Sequence, residues 1–230
     1  MQRVEAVVEP ARATRYAGMA ERMPRGCNMV QAVRKLDPTK PATYADLVAL
    51  PEHVVGEIID GVLYTQPRPA PKHAETESAM TMDVRDQFGR RRGGRGPGGW
   101  LVLVEPELHL GRHVLVPDLA GWKRDRLPEV PDTAHIVVTP DWVCEIVSPG
   151  TQGKDRLIKM PKYAEQGVPS LWLVDPLERT VESYRLQPDG HWLLLGTYGG
   201  NQTAAIPPFD AVAFDLREWW GGPEQPDAEP

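Results

Sequence analysis

Hydrophobic residues along this chain occur in short runs bounded by glycine, proline and aspartate, a pattern that predicts β-strands. The first two runs, Val54–Ile59 and Val62–Thr65, flank Asp60-Gly61, a dipeptide that favours a tight hairpin turn. The further strands predicted from the same pattern are Trp100–Val104, Glu107–Leu110, Val114–Trp122, Trp142–Val147, Ser170–Val174, Thr180–Leu186 and Trp192–Tyr198.

Helical patterns separate these strands at four places. A capping-box-like start at Thr43–Asp46 begins the first helix, and the second extends from His73 to about Arg92. The third extends from about Asp155 to Gln166 and contains Pro161, which predicts a kink; a short helix at Leu216–Trp219 closes the domain. This order predicts an α/β (α+β) fold, in which a mixed β-sheet is flanked by helices and carries additional β-hairpins.

Composition divides the chain into a domain and two extensions. Residues 1–40 lack periodicity and are predicted to be disordered or weakly structured, residues 41–220 to form one domain, and residues 221–230 to be a disordered tail. The hydrophobic content of 41% is enough for a core in a chain of 230 residues.

Charge and cysteine content narrow the class of protein. The net charge is −6, with +4 in residues 1–40 and −10 in the remainder, which is not the basic balance of a tight, non-specific nucleic-acid binder. No run approaches the roughly 18 apolar residues of a membrane span. Cys27 and Cys144 are too few for a disulfide framework, so we expect reduced thiols in a cytoplasmic protein.

The most informative polar residues are carboxylates placed in or beside predicted buried strands. Asp118 follows Val114-Leu-Val, and Glu145 follows Trp142-Val-Cys. A carboxylate in such a strand is costly unless it is paired, and two carboxylates brought together repel each other. A hard divalent cation such as Mg²⁺ or Mn²⁺ removes both problems, so we expect Asp118 and Glu145 to share an ion.

Two more residues could converge on this pair. Glu57 lies in the middle of an apolar strand, and Lys159 lies on the helix that follows the Glu145 strand. Metal-bound oxygens, an activated water and a lysine beside it together suit phosphodiester hydrolysis.

Each residue also has a plain structural interpretation. Asp118 could be a solvated strand-end residue, and Glu145 could form a salt bridge with an arginine such as Arg156. Glu57 could pair with a charge on a neighbouring helix, and Lys159 could lie on a solvated helix face.

Seven short motifs occur in a fixed order over about residues 40–220. They are Glu57, the turn Asp60-Gly61, Pro69-x-x-x-His73, Pro117-Asp118, Glu145-Ile-Val-Ser-Pro149, Lys159-x-x-x-Tyr163-x-x-x-Gly167-Val168 and Trp172-Leu-Val-Asp175-Pro176. In this order and spacing they resemble the Uma-two family, a branch of the PD-(D/E)XK nuclease superfamily. The resemblance implies a restriction-endonuclease-like α/β core, a divalent metal and a DNA substrate.

The resemblance also assigns roles to residues. Asp118 and Glu145 would be metal ligands together with the backbone carbonyl of Ile146, and Glu57 would orient water or hold a second ion. Lys159 would replace the lysine that usually follows two residues after the glutamate, where this chain has Val147.

Two further residues are candidate neighbours of the site. His73 opens the second helix, where a histidine could instead only cap the helix, and Glu107 lies on a predicted strand that could face the site or solvent.

Three functions remain open at this stage. The first is a metal-dependent endonuclease that cleaves DNA and forms a homodimer, as the resemblance implies. The second is a catalytically degenerate relative that binds nucleic acid or a protein without cleavage, which the absence of Glu-x-Lys favours. The third is a metal-independent hydrolase with a carboxylate pair, such as a glycosidase.

Overall fold

The computed structural model describes residues 40–66, 69–90 and 96–221. Apart from their residues nearest the domain, the two predicted extensions, residues 1–40 and 221–230, therefore lie outside the described residues. Within these ranges, no helix combines the length and the apolar character needed to cross a membrane.

The described residues form twelve strands and four α-helices. The strands are β1 (Val55–Ile59), β2 (Val62–Gln66), β3 (Trp100–Val104), β4 (Leu108–Leu110), β5 (His113–Leu115), β6 (Leu119–Lys123), β7 (Trp142–Ile146), β8 (Ser170–Asp175), β9 (Thr180–Leu186), β10 (Trp192–Gly199), β11 (Thr203–Ala204) and β12 (Phe214–Asp215). The helices are α1 (Tyr44–Val48), α2 (Pro71–Val84), α3 (Gln152–Lys154) and α4 (Met160–Glu165), with π-helical turns at Arg85–Gly89 and Asp155–Lys159 and a 3-10 turn at Leu216–Trp219.

The strands form two main sheets and one small ribbon. The larger sheet has the order β10-β9-β8-β7-β6-β3, in which only β7 and β8 are parallel. The connection between these two strands carries α3 and α4, because a parallel pair needs a crossover. The smaller sheet has the order β2-β1-β5-β4, and β11 pairs with β12. The predicted α/β (α+β) class is confirmed.

The larger sheet separates two hydrophobic cores, because side chains alternate between its faces. Trp142, Cys144 and Ile146 of β7 pack into one core with Met80 and Val84 of α2. The alternate residues of β7 face the opposite core, which lies between the larger sheet, α4 and the smaller sheet. This second core includes Val143 of β7, Tyr163 of α4, and Ile59, Leu108 and Leu115 of the smaller sheet. The side chain of Glu145 belongs to this second face.

Two of the predicted elements are divided near prolines in the structure. The predicted strand Val114–Trp122 is interrupted between β5 and β6, where Pro117 lacks the donor that a sheet ladder needs. The predicted helix from Asp155 to Gln166 instead begins at α3, and its middle is a π-helical turn that ends directly before α4. Pro161 then lies in the first turn of α4, where a missing N–H costs little.

We predict that Gly121→Ala lowers the free energy of unfolding by about 1–3 kcal/mol, because overpacking a dense core forces neighbours to move. A Cβ atom at Gly121 would lie 3.1 Å from the Trp142 ring and 3.3 Å from the Trp100 ring. Urea unfolding at constant m-value measures the change. Gly153→Ala is the matched control, since nothing lies within 4 Å of its added Cβ; an equal loss in both variants would contradict the packing explanation.

Candidate active site

The centre of the site is the buried ammonium group of Lys159. Its side chain is 1% exposed, and its Nζ lies 2.8 Å from a Glu145 carboxylate oxygen and 3.0 Å from Oε1 of Glu57. It also donates to the carbonyl of Val116 at 3.0 Å. Burial alone would lower the pKa of Lys159, but the carboxylates of Glu145 and Glu57 outweigh it and raise the pKa. Lys159 is therefore a protonated cation held between two strands.

The carboxylate of Glu57, on β1, is held by Lys159, Lys154 and Val116. Its Oε1 accepts from the backbone N–H of Val116 at 2.8 Å, and its Oε2 accepts from Nζ of Lys154 at 2.8 Å. Burial would raise the pKa of Glu57, but the ammonium groups of Lys159 and Lys154 more than offset it, so the pKa is lowered. Glu57 is thus an ionised carboxylate inside the protein.

Glu145 has both carboxylate oxygens engaged. Besides the contact with Lys159, its Oε1 accepts from the hydroxyl of Tyr163 at 2.5 Å. The hydroxyl is delivered from α4, four residues after Lys159, so one helical face supplies both partners. The salt bridge with Arg156 that the sequence left open does not form, because the guanidinium of Arg156 contacts Glu182 at 2.7 Å.

Asp118 lies in the break between β5 and β6 and is held by two other groups. Its Oδ2 accepts from the backbone N–H of Ile146 at 2.5 Å, and its Oδ1 lies 3.1 Å from Nε2 of His73. Burial would lower the pKa of His73, but the hydrogen bond and charge of Asp118 outweigh it and raise the pKa. His73 therefore has a partner in the site rather than only a place at a helix start.

Asp118 belongs to a group of three carboxylates. One oxygen from each of Glu77, Glu105 and Asp118 lies within 4.8 Å of the others. Oε1 of Glu77 is buried, and no hydrogen-bond partner for it exists among the described residues. Burial, followed by the charges of Asp118 and Glu105, raises the pKa of Glu77 to about 7.

A cleft of about 180 Å³ opens above this group. The polar residues that line this cleft are His73, Glu105, Asp118, Gln66, Ser148 and Thr151. Of the four residues predicted to be catalytic, Asp118 is the one that lines the cleft, whereas Glu57, Glu145 and Lys159 are buried behind it.

The structure thus divides the predicted site into two parts. In the first part, Lys159 forms ion pairs with both Glu57 and Glu145. In the second part, Asp118 lies close to the carboxylates of Glu77 and Glu105. Asp118 is contacted by α2, which packs on one face of the larger sheet, whereas Glu145 is contacted from the other face. The prediction that Asp118 and Glu145 share an ion therefore stays a prediction.

Four residues of the site were not singled out from the sequence as site residues. Tyr163 follows Lys159 and Glu77 follows His73 at one-turn spacing, so helical periodicity could have indicated both. Lys154 precedes Lys159 by five residues, the spacing of the π-helical turn between them. Glu105 adopts a left-handed conformation with φ of 43° directly after β3. No local pattern predicts that conformation.

Glu107 does not join the carboxylates around Asp118. Its Oε1 lies 2.7 Å from Nε2 of His109, at the start of β4. Glu107 therefore contributes to a different cluster from the one predicted.

The residues of the cleft fit a hard divalent cation. Three carboxylate oxygens converge, and the unpartnered oxygen of Glu77 would gain a partner. Opposite ligands of Mg²⁺ are about 4.2 Å apart, so small side-chain movements would bring the three oxygens into range.

Comparisons with known proteins agree on the kind of fold. A family model, Uma2, described as "Putative restriction endonuclease", matches residues 42–217. A crystal structure of a "putative nuclease belonging to DUF820" from Anabaena variabilis is similar, with a TM-score of 0.63 and 22% sequence identity. The match covers 78% of this chain and 98% of that one, and at this identity it shows the fold alone. No curated protein matches the chain.

We predict that Lys159→Met destabilises the fold by about 3–5 kcal/mol, because it leaves buried carboxylates without their cation. Adding Glu145→Gln should recover part of this loss, since a buried carboxyl group that has lost its ammonium partner is replaced by an uncharged amide. Denaturant unfolding measures both changes. Lys72→Met, at an exposed position of α2, is the control and should change stability little. If Lys159→Met were as stable as the parent, the Lys159 ammonium group would not be needed for the stability of the fold.

We predict that Glu77→Gln stabilises the metal-free protein by on the order of 1 kcal/mol at pH 8, after allowance for solvent screening. The folded state releases this proton near pH 7 and the unfolded chain near pH 4.5, so ionisation costs stability as pH rises between these values. The difference between variant and parent should grow from pH 5 to pH 8 and then level off.

Thermal unfolding in the presence of a chelator measures this difference. Glu75→Gln, on the exposed side of the same helix, removes an equal charge and is the matched control. The same pH dependence in both variants would assign the effect to net charge instead.

Proposed function

Because the chain belongs to the Uma2 family of restriction-endonuclease-like proteins, as its motifs predicted, we propose that it is a divalent-metal-dependent endonuclease that hydrolyses phosphodiester bonds in DNA. One observation supports this most strongly. Asp118 lines an open cleft, while a buried lysine lies behind it with Glu57 and Glu145, the residues expected to act with it. This combination would supply the carboxylates and the cation that phosphodiester hydrolysis needs, although this chain lacks the usual Glu-x-Lys.

The ion in this proposal is Mg²⁺ or Mn²⁺, and Asp118 is its central ligand. The resemblance adds Glu145 and the Ile146 carbonyl, whereas the geometry of the cleft adds Glu77 and Glu105. When bound, the ion would lower the pKa of a water and offset the charge that develops on the phosphate. The two ligand sets differ in everything except Asp118, so mutagenesis can separate them.

The protein's own groups would orient this chemistry. His73 and the backbone N–H of Ile146 fix the two oxygens of Asp118, so the carboxylate is preorganised and does not have to be ordered by the substrate. Lys159 balances the charge of the carboxylates behind the cleft, which limits the repulsion that an incoming phosphate would meet.

Phosphate contacts outside the cleft would come from arginines at the far end of α2. Arg85 and Arg90 are exposed there, and Arg91, Arg92 and Arg95 lie outside the described residues. His73 and Arg85 are twelve positions apart, about 18 Å along a helix. Duplex DNA lying along α2 would reach both ends, and backbone contacts of this kind fix position without reading sequence.

A second candidate is a family member that binds DNA or a protein without cutting. The observation that favours it is the state of Glu145, whose two oxygens are already taken by Lys159 and Tyr163. If this pairing persists with substrate, Glu145 cannot ligate an ion. The homodimer and the cytoplasmic location expected from the sequence stay predictions in both cases.

We predict that Asp118→Asn abolishes both Mn²⁺ binding and Mg²⁺- or Mn²⁺-dependent cleavage of supercoiled plasmid, because it removes the ligand common to both sets. Glu145→Gln should abolish cleavage if the predicted set holds the ion, whereas Glu77→Gln or Glu105→Gln should do so if the cleft group does. Calorimetry measures the binding of the ion, and gel electrophoresis measures the cleavage of the plasmid.

Asp125→Asn, at an exposed position, is the matched control and should keep both properties. Cleavage that persists in Asp118→Asn, or that is insensitive to a chelator, would overturn the nuclease proposal. Ion and DNA binding by the parent protein without cleavage would favour the second candidate.

A further inference from the structure

A second cluster of metal-ligating side chains lies on the edge strand of the smaller sheet. It consists of Glu107, His109 and His135, from each of which one ligand atom lies within 4.8 Å of the others. It shares no residue with the carboxylates of the cleft. All three residues are half-buried, so an ion could reach them without unfolding the domain.

The backbone brings these residues together over a separation of 28 positions. Leu108 of β4 forms an isolated parallel bridge with Ile136. The N–H of His109 donates to the carbonyl of Ile136, and the N–H of Ile136 donates to the carbonyl of Glu107, both at 2.9 Å. His135 is thereby fixed against β4, although it belongs to the long connection between β6 and β7.

The side chains are already in contact. Nε2 of His109 lies 2.7 Å from Oε1 of Glu107, which is a hydrogen bond. The imidazole rings of His109 and His135 are stacked, with centroids 3.8 Å apart and planes 11° from parallel. The ring of Tyr44, from α1, meets the His109 ring edge-on at 4.9 Å.

One ring nitrogen of this cluster is unsatisfied. Nδ1 of His135 is shielded from solvent, and the described residues offer it no hydrogen-bond partner. A buried polar atom without a partner costs free energy, and such atoms are rare in folded proteins. An ion would satisfy it and would at the same time replace the proton between His109 and Glu107.

We propose that Glu107, His109 and His135 form a binding site for a borderline divalent transition-metal ion, of which Zn²⁺ is the representative. Two imidazoles and one carboxylate suit Zn²⁺, whereas Mg²⁺ prefers all-oxygen ligands and retains waters. Three protein ligands leave a further position for water. Because the lone pairs lie in the ring planes, the two histidines must tilt out of their stack when the ion binds.

Such an ion would cross-link the β6–β7 connection to β4. This connection is long and carries no strand of its own, and the ion would add to the contacts that hold it, which include the bridge at Ile136 and the hydrogen bond from Trp122 to the Val138 carbonyl. An ion that binds only the folded state stabilises it by RT ln(1 + [ion]/Kd), so the melting temperature rises with the ion concentration. The site therefore predicts stabilisation by Zn²⁺ that does not depend on nuclease activity.

The test is Zn²⁺ binding to the full, tag-free chain in the Asp118→Asn background, with excess Mg²⁺ to occupy other carboxylates. Calorimetry should give one saturable Zn²⁺ per chain, and thermal unfolding should shift upward. In His135→Ala or Glu107→Gln the affinity should fall by more than the roughly 10–100-fold that the loss of an outer hydrogen-bond partner costs. Co²⁺ absorption reports directly on nitrogen ligands.

His191→Ala is the matched control, because His191 also lies beside a carboxylate, Asp189 at 3.3 Å, but on an exposed loop. It should leave Zn²⁺ affinity unchanged. Glu107→Gln preserves size, so the test stands even if His135→Ala fails to fold. Absence of one-to-one binding in the parent, or an affinity in both ligand variants that is unchanged from the parent, would overturn the proposal.

Discussion

The ion pairs of Lys159 are the interaction on which this architecture depends. Moving an ammonium group into a protein interior costs several kcal/mol. This cost is offset only when oppositely charged partners are held at hydrogen-bonding distance and in good geometry. Here the partners come from different sheets, since Glu57 lies on β1 of the smaller sheet and Glu145 on β7 of the larger one. The π-helical turn that carries Lys159 therefore has to dock against both sheets together. Val116, which precedes the proline before Asp118, is fixed by the same cluster.

The charges behind the cleft and those inside it belong to one electrostatic system. Glu57, Glu145 and Asp155 are buried with two lysines, so this part of the site has more carboxylates than cations. The cleft adds Glu77, Glu105 and Asp118 with a single histidine, which increases the negative excess. Burial, followed by the charges of Asp118 and Glu105, raises the pKa of Glu77 to about 7, so in the absence of an ion a proton on Glu77 relieves part of this excess. A divalent cation would relieve it more completely.

Sequence reasoning reached the fold class, the family and most strand positions because these depend on local periodicity and motif order. It failed where a proline or a distant partner decides the outcome. Pro117 divides the predicted strand Val114–Trp122, and that break is what lets Asp118 turn toward α2. Lys159 is buried and does not lie on the solvated helix face that the sequence left open as an alternative, because its burial depends on the docking of two sheets. The pairing of His135 with β4 joins residues 28 positions apart, which no local pattern encodes.

The energetics of the two parts of the site argue for an order of events at the metal. An ion bound to Glu145 would have to displace Lys159 or Tyr163, whose contacts at 2.8 and 2.5 Å offset the burial of that carboxylate. An ion in the cleft would displace only a proton from Glu77, and it would give the unpartnered oxygen a ligand. In the proposed mechanism the cleft carboxylates would therefore bind the ion first, while Glu145 would still hold Lys159. Rearrangement of Glu145 would follow only if substrate phosphate supplies enough interaction energy to break the pair.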